Sequence, residues 1–365
     1  MPSLFEPLRL DSLELSNRIV VSPMSQYSAQ GGTANEWHFV HYGALANSGA
    51  GLVMIEATHV DRQGMGTFAC LGLYNDEQEA ALKRVVNAAK RIGGAKLGLQ
   101  LNHSGRKASM TLPWAATRGP LDQADGAWET LSASPMPFGS GWPAPSAATE
   151  ADLKRIVAAY ISAAERARRI GIEVLELHAA HGYLLHSFLS PLSNSRVDQY
   201  GGILNNRMRF PLEVFAAVRD VWTGPLGVKV SATDWAERGG STVEDALAFC
   251  RALEAGGCDY VCMSSGAATA EIKVPVAPDY QVKFAEAAKS AVGIPVWAVG
   301  LIHEPEYANS IVATGRADAV AIARGFLDNP HWPYRAANEL GGRINRPPPY
   351  ERCAPGNWPG AGKPS

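Results

Sequence analysis

The sequence lacks most of the features that would assign it to a specialised class of protein. Its five cysteines (70, 250, 258, 262 and 353) are odd in number and have no paired CxxC spacing, which supports neither a disulfide framework nor structural zinc. We interpret them as core thiols. No apolar run approaches bilayer length, and the N-terminus has no basic region followed by an apolar core, so we expect a cytoplasmic protein. A formal net charge of -2 gives no reason to expect a nucleic-acid or membrane-surface partner.

Apolar, β-branched runs alternate with helical periods along almost all of the chain. The runs predict eight strands, at 19–22, 52–57, 95–101, 172–177, 226–231, 260–264, 296–299 and 319–323. The clearest helical periods cover 77–92, 149–171, 206–221, 241–256, 281–292, 304–315 and 330–340. Strands separated by helices indicate a parallel sheet, and eight such units predict closure into a (β/α)8 TIM barrel. A doubly wound open sheet is the alternative, but no GxGxxG follows an early strand.

Two segments fall outside this repeat. Residues 102–149 after the third strand are aperiodic and rich in Pro and Trp, which is typical of a functional capping insertion. Residues 346–365 are rich in Pro and Gly and form an extended C-terminal tail. We therefore predict one barrel domain over residues 1–345, including the insertion, followed by the tail.

Two histidines and a tyrosine stand at the end of the fourth predicted strand. His178, His181 and Tyr183 are costly to bury unless they bond to something, and the carboxyl ends of barrel strands are where such folds keep their chemistry. Satisfied core residues are the structural alternative. The His-x-x-His spacing also matches a metal-ligand pair, although it lies on a strand exit rather than on a helix and no HExxH motif surrounds it.

Further candidates follow later strands. Gly300, Ala323 and Arg324 come after strands seven and eight, the usual phosphate site of this architecture. Lys229, in an apolar strand, either pairs with a carboxylate such as Glu176 or Asp234 or offers its charge to a ligand. A phosphorylated ligand is thus expected there, with its reactive end near the histidines.

The combination favours conjugate reduction. Two imidazole N–H groups could polarise a carbonyl or nitro oxygen, and the Tyr183 phenol could deliver a proton. Without a dinucleotide fingerprint, the hydride is expected from a bound flavin whose phosphate fills the site at strands seven and eight. The alternative from a different class is a non-flavin barrel hydrolase or isomerase that uses His178 and His181 on a metal.

Several separate motifs then resemble the Old Yellow Enzyme family of NADH:flavin oxidoreductases. They are SPMSQYSAQGG from Ser22, HSGRKAS from His103, HAAHGYLLHSFLSPLSN from His178, DQYGG from Asp198, NRMRF from Asn206 and CMSSG from Cys262. Within the family, the motifs are most similar to the bacterial branch typified by YqjM and xenobiotic reductase A. The resemblance runs over nearly the whole chain and implies an NADPH dehydrogenase or ene-reductase with tightly bound, non-covalent FMN. It also implies NAD(P)H, with NADPH favoured, as a transient hydride donor.

The resemblance also implies roles for individual residues. The cofactor would contact Ser22, Pro23, Met24, Ser25, Ala57, Gln100, Lys229, Gly300, Ala323 and Arg324, with Lys229 beside the flavin and the last three at its phosphate. His178 and His181 would hold the substrate oxygen, Tyr183 would be the proton donor, and Tyr27 would lie over the substrate. Arg352 would enter the active site of a neighbouring subunit, which implies a homodimer or homotetramer.

Three positions depart from the branch. Ser25 stands where cysteine is usual, Lys229 where arginine is usual, and Ala323 where the phosphate site usually has glycine. The lysine keeps the charge but loses the planar fork of arginine. We expect an enzyme that reduces activated C=C bonds of α,β-unsaturated carbonyl or nitro compounds by ping-pong hydride transfer, with redox tuning by Ser25 and Lys229 left open.

Overall fold

Eight parallel strands close into a barrel at the centre of the molecule. The structure is a computed structural model and describes residues 3–360. A two-stranded antiparallel hairpin precedes the barrel, and a short parallel pair lies in the insertion. The strands are β1 Leu8–Leu10, β2 Leu13–Leu15, β3 Ile19–Val21, β4 Leu52–His59, β5 Lys96–Asn102, β6 Leu131–Ser132, β7 Ser146–Ala147, β8 Val174–Ala179, β9 Leu226–Ser231, β10 Tyr260–Ser264, β11 Val296–Ala298 and β12 Ala319–Ile322.

The barrel order follows the chain, from β3 through β4, β5, β8, β9, β10, β11 and β12 and back to β3. Helices cover the outside of the barrel. They are α1 Glu36–Ala46, α2 Asp76–Ile92, α3 Glu150–Arg169, α4 Leu184–Leu189, α5 Leu204–Val221, α6 Val243–Ala255, α7 Val282–Lys289, α8 Pro305–Ala313, α9 Arg324–Asp328 and α10 Trp332–Leu340. The predicted (β/α)8 TIM barrel is confirmed.

Capping side chains explain where α2, α3 and α6 begin. Thr149 and Thr242 each accept a hydrogen bond from the backbone of the aspartate three residues later, and that aspartate bonds back to the threonine N–H. These capping boxes satisfy N–H groups that have no partner inside the helix. Asn75 caps α2 in a similar way through the Gln78 N–H. The predicted helices 77–92, 149–171 and 241–256 therefore begin within one or two positions of the observed starts.

The amino-terminal end of the barrel is filled with apolar side chains. Leu8, Leu10 and Leu15 of the hairpin form one buried cluster with inward-facing strand residues, including Tyr260 and Trp297. The rings of Tyr260 and Trp297 stack with their centroids 3.7 Å apart. A side chain at Gly227 would meet the Tyr260 ring, so glycine in β9 leaves room for this stack. The hairpin thus closes this end of the barrel.

The structure differs from the sequence prediction in several details. The hairpin, α1, α4, α9 and the short strands β6 and β7 have no counterpart in the predicted elements, and β4 continues two residues beyond its predicted end to His59. Cys353 is exposed, so the interpretation of all five cysteines as core thiols is wrong for this one, whereas the other four are buried. Cys353 escapes burial because Pro347 and its neighbours allow only a short 3-10 helix at Pro348–Cys353.

The predicted insertion has little regular structure of its own. Residues 102–149 contain two short 3-10 turns besides β6 and β7, and they fold over the carboxyl end of the barrel. Among residues 3–360, no helix is both long and apolar enough to cross a membrane.

Candidate functional site

A deep cleft opens at the carboxyl end of the barrel strands. Its volume is about 720 Å³, and all eight barrel strands or the segments that follow them contribute residues to its wall. Most of the predicted site residues line it: Ser22, Pro23, Ser25, Tyr27, Ala57, Gln100, His178, His181, Tyr183, Lys229, Gly300, Ala323 and Arg324. Parallel strands in a closed barrel bring these positions together although they span 300 residues of sequence.

Two predicted residues are not on this wall. The Met24 side chain packs against the main core instead, so any contact of this residue with a cofactor would have to come from its backbone. Arg352 is exposed on the 3-10 helix Pro348–Cys353, outside the cleft of its own chain. Its predicted role in a neighbouring subunit remains a prediction.

His178 and His181 lie edge to face, with their ring centroids 5.0 Å apart. His178 Nε2 and His181 Nδ1 are separated by 3.3 Å, and His181 Nε2 lies 2.7 Å from Ser264 Oγ. Tyr183 stands beside them, its ring centroid 4.8 Å from that of His178. An oxygen atom could therefore contact both imidazoles while the phenol faces the same space.

Backbone contacts fix this turn. His181 adopts a left-handed conformation with φ 59°, and its N–H donates to Ser231 Oγ at 3.0 Å. The Gly182 N–H donates to His186 Nδ1 at 2.8 Å, and His186 Nε2 lies 3.3 Å from the Asp234 carboxylate. His186 therefore has a structural role, since it bonds to the backbone of this turn on one side and lies beside Asp234 on the other.

Burial sets the protonation of the three side chains. It lowers the pKa of His178 and His181 well below the ordinary value, and the nearby Lys229 and Lys107 ammonium groups lower it further. Both rings are therefore neutral at physiological pH. Burial raises the pKa of Tyr183 in the opposite sense, so that its phenol keeps its proton.

Lys229 belongs to a buried polar group on the barrel interior. Its Nζ donates to Ser22 Oγ at 3.2 Å and lies 3.6 Å from Glu176 Oε1, which also accepts from Gln100 Nε2 at 2.7 Å. Of the two carboxylates considered from sequence, Glu176 is the partner. Burial lowers the pKa of Lys229, but Cys262 and Glu176 raise it by more. Since burial raises the pKa of the Cys262 thiol to about 12 and keeps it uncharged, we attribute the net rise to Glu176.

The opposite end of the cleft offers backbone groups and one guanidinium. Gly300 has φ 102°, and a Cβ there would lie 2.6 Å from Gln281 Nε2 and 2.9 Å from the Tyr280 ring. Only glycine suits this position, which lets a ligand approach the backbone closely. Arg324 is exposed at the rim and forms no ion pair with any described side chain. A phosphate would complete this set of donors.

These residues fit an FMN molecule in both charge and shape. The Lys229 cation and the Gln100 amide suit the polar edge of the isoalloxazine, the small side chains of Ser25 and Ala57 leave room for a flat ring, and Gly300 and Arg324 suit its phosphate. The volume of the cleft also leaves room for a second small molecule beside the histidines.

Sequence reasoning missed Lys107, which lies between the cleft and a smaller chamber of about 220 Å³ under the insertion. Its Nζ donates to the His181 carbonyl at 2.7 Å and lies 4.9 Å from the Tyr183 ring centroid. Burial lowers the pKa of Lys107 to about 7. The only signal was its place in the HSGRKAS motif, because the aperiodic insertion does not reveal where its side chains point.

Among the described residues, His178 and His181 have no third side chain beside them that could complete a metal site. In the described part of the chain, no three His, Cys, Asp or Glu side chains come together as a group that could hold a metal ion. The imidazole nitrogens instead meet each other, the Ala180 N–H and the Ser264 hydroxyl. The pair is therefore arranged for hydrogen bonding.

Comparisons with known proteins agree with this geometry. The chain is 42% identical to an NADPH dehydrogenase of Geobacillus thermodenitrificans over 351 residues, which cover 96% of this chain and 98% of that protein. It is also 42% identical to an NADPH dehydrogenase of Listeria innocua over 355 residues, which cover 97% and 99% of the two chains. Morphinone reductase in complex with tetrahydroNAD has a similar structure, with a TM-score of 0.76, 29% identity and coverage of 96% and 93%.

The family model of the NADH:flavin oxidoreductase / NADH oxidase family matches residues 3–342, which is nearly the whole barrel. This match confirms the resemblance to the Old Yellow Enzyme family, while the assignment to its YqjM-like branch stays a prediction. The chain belongs to the NADH:flavin oxidoreductase / NADH oxidase family.

Proposed function

We propose that the protein is an FMN-dependent NAD(P)H oxidoreductase that reduces the activated C=C bond of α,β-unsaturated carbonyl or nitro compounds. The observation that carries the proposal is the pair of neutral imidazoles of His178 and His181, whose Nε2 and Nδ1 atoms are 3.3 Å apart, with the protonated phenol of Tyr183 beside them. Family membership supports flavin-dependent oxidoreduction over the metal-dependent hydrolase or isomerase. The NADPH dehydrogenase relatives favour NADPH as the electron donor.

FMN would be held by the residues of the cleft wall. Ser22, Pro23, Ser25, Ala57 and the Met24 backbone would contact the flavin ring, Gln100 and Lys229 its polar edge, and Gly300, Ala323 and Arg324 its phosphate. When bound, FMN would supply a hydride taken from NAD(P)H in one half-reaction to the β-carbon of the substrate in the next, a ping-pong cycle.

His178 and His181 bind the oxygen that activates the alkene. Their N–H groups donate to it, and they stabilise the negative charge that develops there as the β-carbon is reduced. Neutral imidazoles suit this task because they donate hydrogen bonds to an uncharged enone without adding further positive charge to the cleft. The buried position of His178 keeps water from competing for the same donors.

Tyr183 completes the reduction by giving its phenolic proton to the α-carbon. Because burial raises its pKa, the phenol carries its proton throughout the physiological pH range. Tyr27 would lie on the other side of the substrate. Its left-handed backbone, with φ 50°, turns the ring toward the cleft and toward Trp114, whose ring centroid is 6.0 Å away.

Arg352 extends the proposal to a homodimer or homotetramer in which one protomer supplies this arginine to the cleft of its partner. Its exposure on the tail supports this role. Arg352→Ala should raise the KM for an enone severalfold with FMN content unchanged, whereas Arg343→Ala, which removes an exposed arginine just before the tail, should not. Equal KM values for the two variants would reject the shared site.

Anaerobic titration tests the central claim. Protein reconstituted with FMN should lose its yellow absorption on addition of NADPH and regain it on addition of cyclohexenone. A protein that stays colourless after reconstitution would overturn the proposal, and stoichiometric zinc without flavin would favour the metal-dependent alternative. A yellow protein that NADPH cannot bleach would instead be a non-catalytic flavin-binding protein.

A further inference from the structure

Both ring nitrogens of His181 have a partner in the structure. His181 Nδ1 faces His178 Nε2 at 3.3 Å, and His181 Nε2 faces Ser264 Oγ at 2.7 Å. Ser264 lies at the end of β10, and its hydroxyl also reaches Gln281 Oε1 at 3.1 Å. These contacts form one series of hydrogen bonds from His178 to Gln281, and the series determines which nitrogen of each ring carries the proton.

The donor and acceptor of each hydrogen bond in this series follow from the protonation of His178. The Ala180 N–H donates to His178 Nδ1, so the single proton of the neutral His178 ring is on Nε2. This N–H points to His181 Nδ1, which must accept, and the His181 proton is therefore on Nε2. The Nε2–H then donates to Ser264 Oγ, and the Ser264 hydroxyl donates onward to Gln281 Oε1.

This arrangement cannot hold a substrate oxygen with two donors. In this tautomer His181 Nδ1 presents a lone pair in place of a proton, and a lone pair repels a carbonyl oxygen. The ring does not gain a second proton, because its pKa is well below the ordinary value. For both histidines to donate, His181 must place its one proton on Nδ1, and Nε2 must then accept a hydrogen bond.

We propose that Ser264 is a positioning residue that accepts a hydrogen bond from one tautomer of His181 and donates to the other, so that the ring can exchange tautomers when an oxygen ligand binds. The Ser264 hydroxyl turns from Gln281 Oε1 to His181 Nε2, while the ring releases its Nε2 proton to solvent and takes one up at Nδ1. His181 holds one proton before and after. Gln281 Oε1 stays satisfied because the Ser265 hydroxyl donates to it at 2.7 Å. This inference rests on the proposed function for the identity of the ligand.

The hydroxyl should influence the rate more than substrate binding. Ser264 contacts the His181 ring in the free and in the bound state, so its removal costs both states a hydrogen bond. In the transition state, however, a donor on Nε2 strengthens the Nδ1–H bond to the increasingly negative oxygen. Loss of one such bond corresponds to about a tenfold lower rate.

The position of the proton can be observed directly by ¹⁵N NMR of histidine-labelled, FMN-reconstituted protein, with His181→Asn used to assign the signals. The ligand-free protein should carry the His181 proton on Nε2. Saturation with cyclohexanone, an oxygen acceptor that cannot be reduced at a C=C bond, should move it to Nδ1. A proton on Nδ1 in the ligand-free protein, or no change with cyclohexanone, would overturn the proposal.

Stopped-flow kinetics provide the second readout. In Ser264→Ala, the limiting rate of flavin reoxidation by cyclohexenone should fall about tenfold, with a dissociation constant within about twofold of wild type. Ser264→Thr keeps the hydroxyl and should restore the rate.

Ser231→Ala is the matched control for the NMR readout, because Ser231 bonds to the His181 backbone and not to its ring. In ligand-free Ser231→Ala protein, the His181 ring proton should stay on Nε2.

A double variant separates this role from a structural one. In His181→Asn the amide nitrogen takes the place of Nδ1 and donates without any choice of tautomer, so adding Ser264→Ala should change the rate less than about twofold. A full tenfold loss in that background would show that Ser264 acts by another route. A wild-type protein that cyclohexenone does not reoxidise would reject the proposed function, while the NMR result on the ligand-free protein still tests the Ser264 contact.

Discussion

The two ends of the barrel are built from the same strands, yet they hold opposite kinds of side chain. Within β8 the inward-facing residues are Val174, Glu176 and His178, and within β10 they are Tyr260, Cys262 and Ser264. The first residue of each set belongs to the apolar cluster under the hairpin, and the last faces the cleft. In each strand, four residues, or about 13 Å, separate the side chain in the apolar cluster from the side chain that faces the cleft.

The difference shows how one scaffold keeps stability and reactivity apart. At the closed end, large rings fill the interior, and among the described residues of this apolar cluster only the Trp297 indole N–H is a buried side-chain polar group without a hydrogen-bond partner. At the open end, buried imidazoles, a cation and a carboxylate are close together, which favours function over stability. Substitutions at the closed end should therefore change stability, and those at the open end should change the chemistry.

Trp297→Ala tests the closed end and should have the largest effect. Removing a fully buried indole that stacks on Tyr260 should lower the free energy of unfolding by about 3–5 kcal/mol. Denaturant unfolding would measure this loss, and Trp297→Phe, which keeps a stacking ring, should recover part of it. If Trp297→Ala instead changed substrate reduction at temperatures where the protein stays folded, the two ends would not be independent.

Tyr183→Phe tests the open end. It should slow flavin reoxidation by poor enone substrates about 10²-fold, because the phenolic proton is lost while the ring remains. Reduction of the flavin by NADPH should be unchanged, and so should stability. Stopped-flow measurement of both half-reactions would show this, with Tyr160→Phe on α3 as a buried tyrosine outside the cleft. An unchanged oxidative half-reaction would reject Tyr183 as the sole proton donor.

Gly300→Ala tests the phosphate end of the cleft. The new methyl group would meet Gln281 and Tyr280 in a left-handed backbone, so FMN should bind at least about tenfold more weakly. Gly315→Ala is the control, since Gly315 has φ 74° with no atom near its Cβ. It should cost about 1 kcal/mol of stability and leave FMN binding unchanged. Quenching of FMN fluorescence would measure the FMN affinity of both variants. Equal affinities of Gly300→Ala and Gly315→Ala for FMN would reject the phosphate site.

Acid should destabilise the open end through its buried histidines. Burial lowers the pKa of His59, the last residue of β4, to about 4, below its ordinary value near 6.5. Between these values the unfolded chain binds a proton that the native state does not, so stability falls as pH falls through this range. The contribution of one histidine is at most about 1.4 kcal/mol per pH unit.

The measurement is urea unfolding between pH 7 and pH 5. His59→Gln should reduce the loss of stability on acidification, whatever its effect at pH 7, whereas His303→Gln should not, because His303 is 60% exposed in its side chain. An identical pH dependence in the His59 variant and the wild type would contradict the assignment.

The barrel was predictable because its pattern repeats. Eight apolar runs separated by helical periods leave few alternatives, and Thr149 with Asp152 marks where the longest helix begins. Residues at strand ends, such as His178 and Gly300, could be placed at one mouth from topology alone. The motifs then indicated which ligand they serve.

Other features depend on contacts that sequence does not reveal. The hairpin β1–β2 is too short for a clear alternating pattern and is held by the barrel end that it covers. Lys107 lies in an aperiodic insertion, so its contact with the His181 carbonyl follows only from the tertiary fold. Likewise, the partners of His181 decide its tautomer, and Ser264 lies 83 residues away in the chain.

Closure of the barrel by β3 and β12 has a consequence for synthesis of the protein. Val20 pairs with Ala321, so the first barrel strand has no neighbour on one side until almost the entire chain has left the ribosome. Until then β3 leaves one edge of the barrel sheet unpaired and the hairpin leucines lack the barrel end that they cover, and such exposed apolar segments promote aggregation. Truncated or slowly translated chains should therefore depend on chaperones that cover the amino-terminal segment.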